Sequence, residues 1–188
     1  MASILPWLLL LGSALVMLFE LRSLMQSSDA EYYHPFTQAV IKLTNPLVNL
    51  PLWRNVRVGS FFLHGFIVAA LIAVVIWVLL GVLAFNLPLL YIPLAAFLML
   101  LKTFGYLLIA LLLAQALTSW LPATRGWSYL FAQITAPITA PVQRIIPPIG
   151  MIDISLMVVL IALYALNSLM YGLLKAIDFG LMIIWQII

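Results

Sequence analysis

Long apolar runs alternate along this chain with shorter stretches in which apolar and polar positions recur at helical spacing. The first run extends from Ile4 to Leu21 and is closed by Glu20 and Arg22. A helix crosses the hydrocarbon core of a bilayer with roughly 17–25 residues, so this run predicts a spanning helix. No basic residue precedes it, so it reads as a retained span rather than a cleavable signal. The second run, Phe61 to Phe85, carries Gly65, Ala69 and Ala73 at every fourth position. That spacing predicts close approach of another helix backbone. The fourth run, Leu156 to Leu174, is left at Lys175 and Asp178, and a short apolar tail from Phe179 to Ile188 follows. Trp185 in that tail suits an interfacial position.

The third run, Leu87 to Leu117, is longer than one crossing requires and holds Lys102 in its middle. One long tilted helix would bury Lys102, at a cost of roughly 2.5–3.5 kcal/mol on insertion scales. Alternatively, Thr103 to Leu121 spans, Lys102 snorkels at its outer end, and Leu87 to Leu101 is a separate interfacial or partly inserted piece. Pro88 and Pro93 near the start favour the second reading.

Between the runs lies an internal repeat. The segment from Pro35 to Leu47 aligns with Gly126 to Ile138, and at that one offset Thr44 falls on Thr135 and Pro46 on Pro137. The apolar pattern agrees better than the residue identities. Phe36, Ala39, Val40, Leu43 and Leu47 in the first copy answer Trp127, Leu130, Phe131, Ile134 and Ile138 in the second. Both sets follow i, i+3, i+4, i+7, i+11, one face of a helix. The segment before each proline is about eleven residues, or roughly 16 Å of helix, too short to cross a bilayer. A helix lying in the interface is the natural reading; a helix packed on protein is the alternative.

Each copy then reaches a proline-rich hook ending in an arginine, Pro51-Leu52-Trp53-Arg54 and Pro141-Val142-Gln143-Arg144. Prolines should keep these stretches from forming continuous helix. Ser60 is placed to cap the second span, and Asp153 or Ser155 the last.

The fold expected is therefore all-α and membrane-embedded, with about four transmembrane helices. Two tandem repeats, 1–86 and 87–188, each join two spanning helices through an amphipathic helix and a hook. Two crossings per module give both halves the same orientation, related by an axis along the membrane normal. Arg22, Lys42, Arg54, Arg57, Arg125 and Arg144 lie on one side against Lys102 and Lys175 on the other. The positive-inside rule then puts the amphipathic helices in the cytoplasm and both termini in the periplasm.

Composition supports the membrane reading. Apolar residues make up 66% of the chain and charged residues 7%, with eight basic and five acidic side chains in 188 residues. A soluble domain carries about 25% charged residues. The net charge of +3 comes from scattered basic residues, not from a stripe that would suit nucleic acid. The absence of cysteine excludes disulfides and thiolate chemistry.

The Thr-x-Pro and Ala-Pro turns, the following Pro-x-x-Arg, and Pro147-x-x-Gly150-x-x-Asp153-x-Ser155 together resemble the YggT family. So do Arg22 after the first span and Lys102-Thr103 before the third. The resemblance covers essentially the whole chain, and two copies in a chain of this size is the bacterial form. The first copy departs from it, with Val58-Gly59-Ser60-Phe61 in place of the aspartate motif. Any role of that aspartate carries over only to Asp153. The resemblance implies an inner-membrane protein linked to osmotic-stress tolerance and potassium homeostasis, with relatives associated with division proteins or plastid cytochrome assembly.

The chemistry that the residues themselves offer is sparse. His34 beside Asp29 and Glu31 has the composition of a weak divalent-metal site, but a solvated loop is the plainer reading. No catalytic set, metal site or cofactor site is expected. Polar groups at membrane depth are Lys102, Asn167 with Ser168, and Gln115 with Thr118 and Ser119. Asn167 can line a pore or hold helices together. Glu20 and Arg22 read as an interfacial ion pair. The favoured function is a non-enzymatic membrane scaffold or accessory protein. Phe36, Val40, Lys42, Arg54, Trp127, Phe131 and Arg144 would meet lipid, anionic headgroups or a partner. The expected partners are anionic lipid, a second copy of the chain, or other membrane proteins. The alternative function is a subunit of an oligomeric channel or transporter for a small ion such as potassium.

Overall fold

The computed structural model describes residues 4–53, 56–59, 61–83, 87–146 and 154–188. Seven helices follow in order: α1 Leu5–Ser27, α2 Pro35–Val48, α3 His64–Leu83, α4 Tyr91–Ser119, α5 Arg125–Ile145, α6 Ile154–Ile177 and α7 Phe179–Ile187. A two-residue hairpin, β1 Arg57–Val58 paired antiparallel with β2 Phe61–Phe62, closes the turn into α3. Four of the helices, α1, α3, α4 and α6, are long and apolar enough to cross a membrane. The chain is an all-α, four-span membrane protein.

Local chemistry sets most helix starts. Pro6 sits in the first turn of α1 and Pro35 opens α2, positions where the missing N–H is not needed. His34 caps α2, its Nδ1 accepting from the Phe36 amide at 3.3 Å. A 3-10 turn, Pro122–Thr124, leads into α5. Ser155 is the second residue of α6 and is fully buried; Ser60 and Asp153, the other expected caps, lie outside the described residues.

α3 packs along α1 and α4, while α4 also touches α5, α6 and α7. The small-residue spacing in α3 does what it predicts. Ala69 and Ala73 are fully buried, and a Cβ on Gly65 would stand 2.4 Å from the Phe19 carbonyl oxygen. One buried cluster draws on Val16 of α1, Ala69 and Trp77 of α3, Met99 of α4, and Leu181 and Trp185 of α7. The core therefore crosses the expected boundary between residues 86 and 87.

Three expectations are corrected. First, Tyr91–Ser119 is one unbroken helix of 29 residues, about 43 Å long. Pro93 lies in its first turn, so the prolines mark a helix start rather than a break, and Lys102 is buried inside the bundle. Second, α2 runs through Pro46 but ends at Val48, so the first hook is turn over Pro51–Trp53 as expected, whereas α5 runs through Pro137 and Pro141 and makes the second hook helical. All three prolines inside helices are exposed. The carbonyls they leave without a donor, four residues earlier, sit on that same outward face and not in the core. Thr44, Thr135 and Thr139, each two residues before a proline, are buried and donate to the carbonyls of Val40, Phe131 and Thr135. Third, the tail is the helix α7, folded back against α4, with Trp185 buried by the protein's own helices.

Candidate functional site

The strongest concentration of polar chemistry at membrane depth lies between α4, α6 and α7. Tyr91 at the start of α4 donates from its hydroxyl to Asp178 Oδ2 at 3.5 Å, which brings the start of α4 to the end of α6. Asp178 also caps α7, its Oδ1 accepting from the Gly180 and Leu181 amides at 2.6 and 3.2 Å. From that cap α7 runs back along α4 until Trp185 meets Lys102. The Lys102 ammonium donates to the Trp185 carbonyl. It also lies 5.5 Å from the Tyr106 ring centre and 5.3 Å from that of Trp185.

This arrangement explains a lysine inside a spanning helix. The last carbonyls of a helix lack intrahelical donors and carry the negative end of its dipole. α7 therefore has an aspartate at its positive end and a lysine at its negative end. The aromatic faces add cation–π attraction, roughly 0.5–2 kcal/mol for each ring.

Two adjoining cavities open beside Lys102. One, of about 300 Å³, is lined by Lys102, Tyr164, Asn167, Ser168, Tyr171 and Gln186, among others. The second, of about 550 Å³, shares Lys102, Tyr164 and Asn167 but is otherwise apolar. It runs past Gly105, Leu108 and Leu163 to Ile138 of α5. Lys102 and Asn167, the two intramembrane polar residues singled out in the sequence, thus line one site. Among the described residues no acidic side chain lines either cavity.

On the other side of α4, Glu20 of α1 is fully buried. Its Oε1 lies 3.1 Å from the Thr103 hydroxyl, which also reaches the Met99 carbonyl at 2.7 Å. Glu20 Oε2 and Arg22 Nε have no hydrogen-bond partner. The expected interfacial ion pair is thus replaced by a contact between helices, because residues two apart on a helix do not face each other and α1 continues to Ser27. His64 is buried with both ring nitrogens unpartnered, within electrostatic reach of Arg22. Gln115 accepts from Thr135 at 2.8 Å, while Thr118 and Ser119 donate to carbonyls of their own helix.

The predicted surface residues fall into two groups. Val40 and Phe131 are buried by the protein's own helices, so the reading of these two as lipid contacts is corrected. The face marked by periodicity in α5 packs on α4, which is the protein-packed alternative. In α2 the buried stripe is Thr37, Val40, Thr44 and Val48, leaving Leu43 and Leu47 exposed. Phe36, Trp127 and Phe131 form an aromatic cluster with centroids 5.9–6.1 Å apart. His34 joins it edge-on to Trp127 at 4.5 Å, so it serves as a cap and a packing residue rather than as a loop ligand. Among the described residues no three His, Asp or Glu side chains gather to hold a metal ion. Lys42 and Arg144 are exposed, as are Pro46 and Pro137. Arg54, Pro147, Gly150 and Asp153 lie outside the described residues.

Sequence reasoning missed Tyr164, Tyr171 and Gln186 as lining, and the capping role of Asp178. The Asp178-Phe179-Gly180 break between two apolar runs was the available signal for that cap.

The profile of the CCB3/YggT family matches residues 94–174, from early in α4 to near the end of α6. A Vibrio alginolyticus protein described as an uncharacterized protein in the proC 3′ region is 36% identical over 174 residues, covering 88% of this chain and 92% of its own length. The uncharacterized protein YggT of Escherichia coli K12 is 33% identical over 153 residues, 80% of each chain. The chain belongs to the CCB3/YggT family. A Haemophilus influenzae uncharacterized protein is 30% identical over 168 residues, 86% of this chain and 87% of its own. No solved structure matches significantly.

Proposed function

We propose that this CCB3/YggT member is a non-enzymatic accessory or scaffold protein of the bacterial inner membrane. It acts through its surfaces rather than by conducting solutes. The observation that carries this reading is how the polar groups at membrane depth are used. Glu20 meets Thr103, Gln115 meets Thr135, and Lys102 meets the end of α7, each in a contact between helices. A conduit instead needs polar groups lining a continuous water-filled path. α2 and α5 lie on the side rich in basic residues, which the positive-inside rule assigns to the cytoplasm. There Lys42, Arg57, Arg125 and Arg144 are exposed to meet anionic headgroups or a partner protein. On this reading the two halves are same-orientation repeats with both termini in the periplasm. The links to osmotic tolerance, ion homeostasis and division then reflect organisation of other membrane proteins.

Reconstitution tests the proposal directly. Proteoliposomes holding a potassium gradient should show no flux above protein-free vesicles. Photo-crosslinkers at positions 42 and 144 in native membranes should capture the same small set of membrane proteins. Saturable potassium flux abolished by Asn167→Leu would replace this reading with the oligomeric-channel one. The poor cover of α6 favours that alternative: 17% of its spanning window is buried, against 50% in α1 and α4.

A further inference from the structure

We propose that the cavity between α4, α6 and α7 is a binding site for an acidic phospholipid of the surrounding bilayer. The lipid's anionic headgroup would sit on Lys102 and one acyl chain in the apolar extension. This goes beyond the scaffold reading and does not depend on it.

Charge is the first argument. Lys102 is 93% shielded from solvent by the chain's own atoms (7% exposed), yet it spends one of three ammonium hydrogens on the Trp185 carbonyl. Asn167, Ser168, Tyr164 and Tyr171 add neutral groups that can donate, and among the described residues no carboxylate lines either cavity. A site with one cation, several neutral donors and no acid selects an anion. An uncompensated cation at this depth would cost several kcal/mol. The Trp185 carbonyl and the Tyr106 and Trp185 ring faces offset part of that, but none of them carries a full negative charge, and a phosphate brings that countercharge.

Polarity along the membrane normal is the second argument. The Tyr91–Asp178 contact marks one end of the bundle. Lys102 lies eleven positions along α4 from Tyr91, roughly 16 Å, and Tyr171 and Ser168 approach the same level from the end of α6. Beyond Lys102, away from that end, the lining becomes Gly105, Leu108, Ile109, Leu163 and Ile138. Polar groups thus lie toward the near leaflet's surface and apolar groups toward the bilayer centre, which is how a lipid of that leaflet is ordered. A helix of about 43 Å exceeds a hydrocarbon core of about 30 Å, which places Lys102 roughly 10 Å inside the core. Its flexible stem can reach back toward the headgroups. The thin cover of α6 leaves a lateral way in from the bilayer.

The fold also supplies a plug. A Cβ at Gly105 would meet nothing within 4 Å, and Gly105 lines the apolar extension, so the side chain of Gly105→Leu starts in open space beside that extension.

The test is native mass spectrometry of the full chain purified in mild detergent, with added phosphatidylglycerol or phosphatidylethanolamine. Wild type should retain phosphatidylglycerol at least tenfold better than phosphatidylethanolamine. Lys102→Met and Gly105→Leu should each lower phosphatidylglycerol retention about tenfold, with elution volume unchanged. If Lys102→Met fails to fold through loss of its contact with α7, Gly105→Leu alone decides. Equal retention of the two lipids by wild type would overturn the proposal. So would undiminished phosphatidylglycerol binding in folded Gly105→Leu, or retention only of a free fatty acid.

Discussion

Gly65 faces α1 so closely that a Cβ would come within 2.4 Å of the Phe19 carbonyl oxygen and 2.6 Å of Ser23 Oγ. The first of those is backbone and cannot rotate away. Ser23 is itself committed, its hydroxyl accepting from the Phe66 amide at 3.2 Å. Gly65→Ala must therefore part α1 from α3, and overpacking of this kind costs about 1–3 kcal/mol. A Cβ at Gly172 would meet nothing within 4 Å, and Gly172→Ala should be neutral or stabilising by about 0.5–1 kcal/mol. Thermal unfolding in detergent should lower the midpoint for the first variant and hold or raise it for the second; the reverse order would refute the contact. Glu20 poses the complementary case. Thr103→Val removes the one hydroxyl that, among the described residues, bonds its carboxyl group, and leaving a buried acceptor unpaired costs about 1–3 kcal/mol. The glycine was legible in the sequence because small residues every fourth position have one main use in lipid. The glutamate was not, because the hydroxyl beside it arrives from a helix eighty-three positions away.

A helical stripe of apolar residues says that a face is buried, but not in what. In α5 that face is Leu130, Phe131 and Ile134 packed against α4, whereas in α2 only Val40 of the expected stripe is fully covered and Leu43 looks outward. Periodicity could not separate the two cases, because lipid and protein interior reward the same residues. Substitution can. Val40→Asp puts a charge among Leu21, Leu24 and Met25 and should reduce accumulation of folded protein severely. Leu43→Asp should fold normally but loosen α2 from the bilayer surface, read as increased amide exchange confined to α2. If Leu43→Asp fails to fold and Val40→Asp is harmless, the assignment of faces is reversed. The prolines misled for a related reason. Their cost is real in a helix interior, but Pro46, Pro137 and Pro141 all lie on the exposed side, where the freed carbonyls can find other donors. α7 was hidden because a nine-residue, largely apolar stretch suggests a tail; the pairing of Asp178 with its N-terminus and Lys102 with its C-terminus, and the burial of Leu181 and Ile184 in the core, make it an element. Asp178→Ala removes two capping bonds and should cost about 1 kcal/mol. It should also raise the exposure of Trp185 to an aqueous fluorescence quencher.

At the scale of the molecule, the two halves pack chiefly through α1 and α3 against α4, and they also touch where their linking helices begin. The Glu31 amide donates to Gln133 Oε1 at 3.2 Å, and Phe36 stacks obliquely on Trp127 at 5.9 Å. Phe36 and Trp127 are counterparts in the proposed repeat. Under a two-fold axis along the membrane normal, a residue can touch its own counterpart only near the axis. Their contact is compatible with the proposed repeat, and if the halves are related in that way the axis passes close to it. Counterparts farther along α2 and α5, such as Asn45 and Ala136, should then diverge. Because the chain has no cysteine, the geometry can be read with introduced pairs. Phe36→Cys with Trp127→Cys should be bridged within one chain by a short bismaleimide, giving a faster-migrating band in denaturing gels. Asn45→Cys with Ala136→Cys should not be bridged by the same reagent. Efficient bridging of the second pair, or bridging of the first only between different chains, would place the axis elsewhere and remove the argument that these halves are related by it.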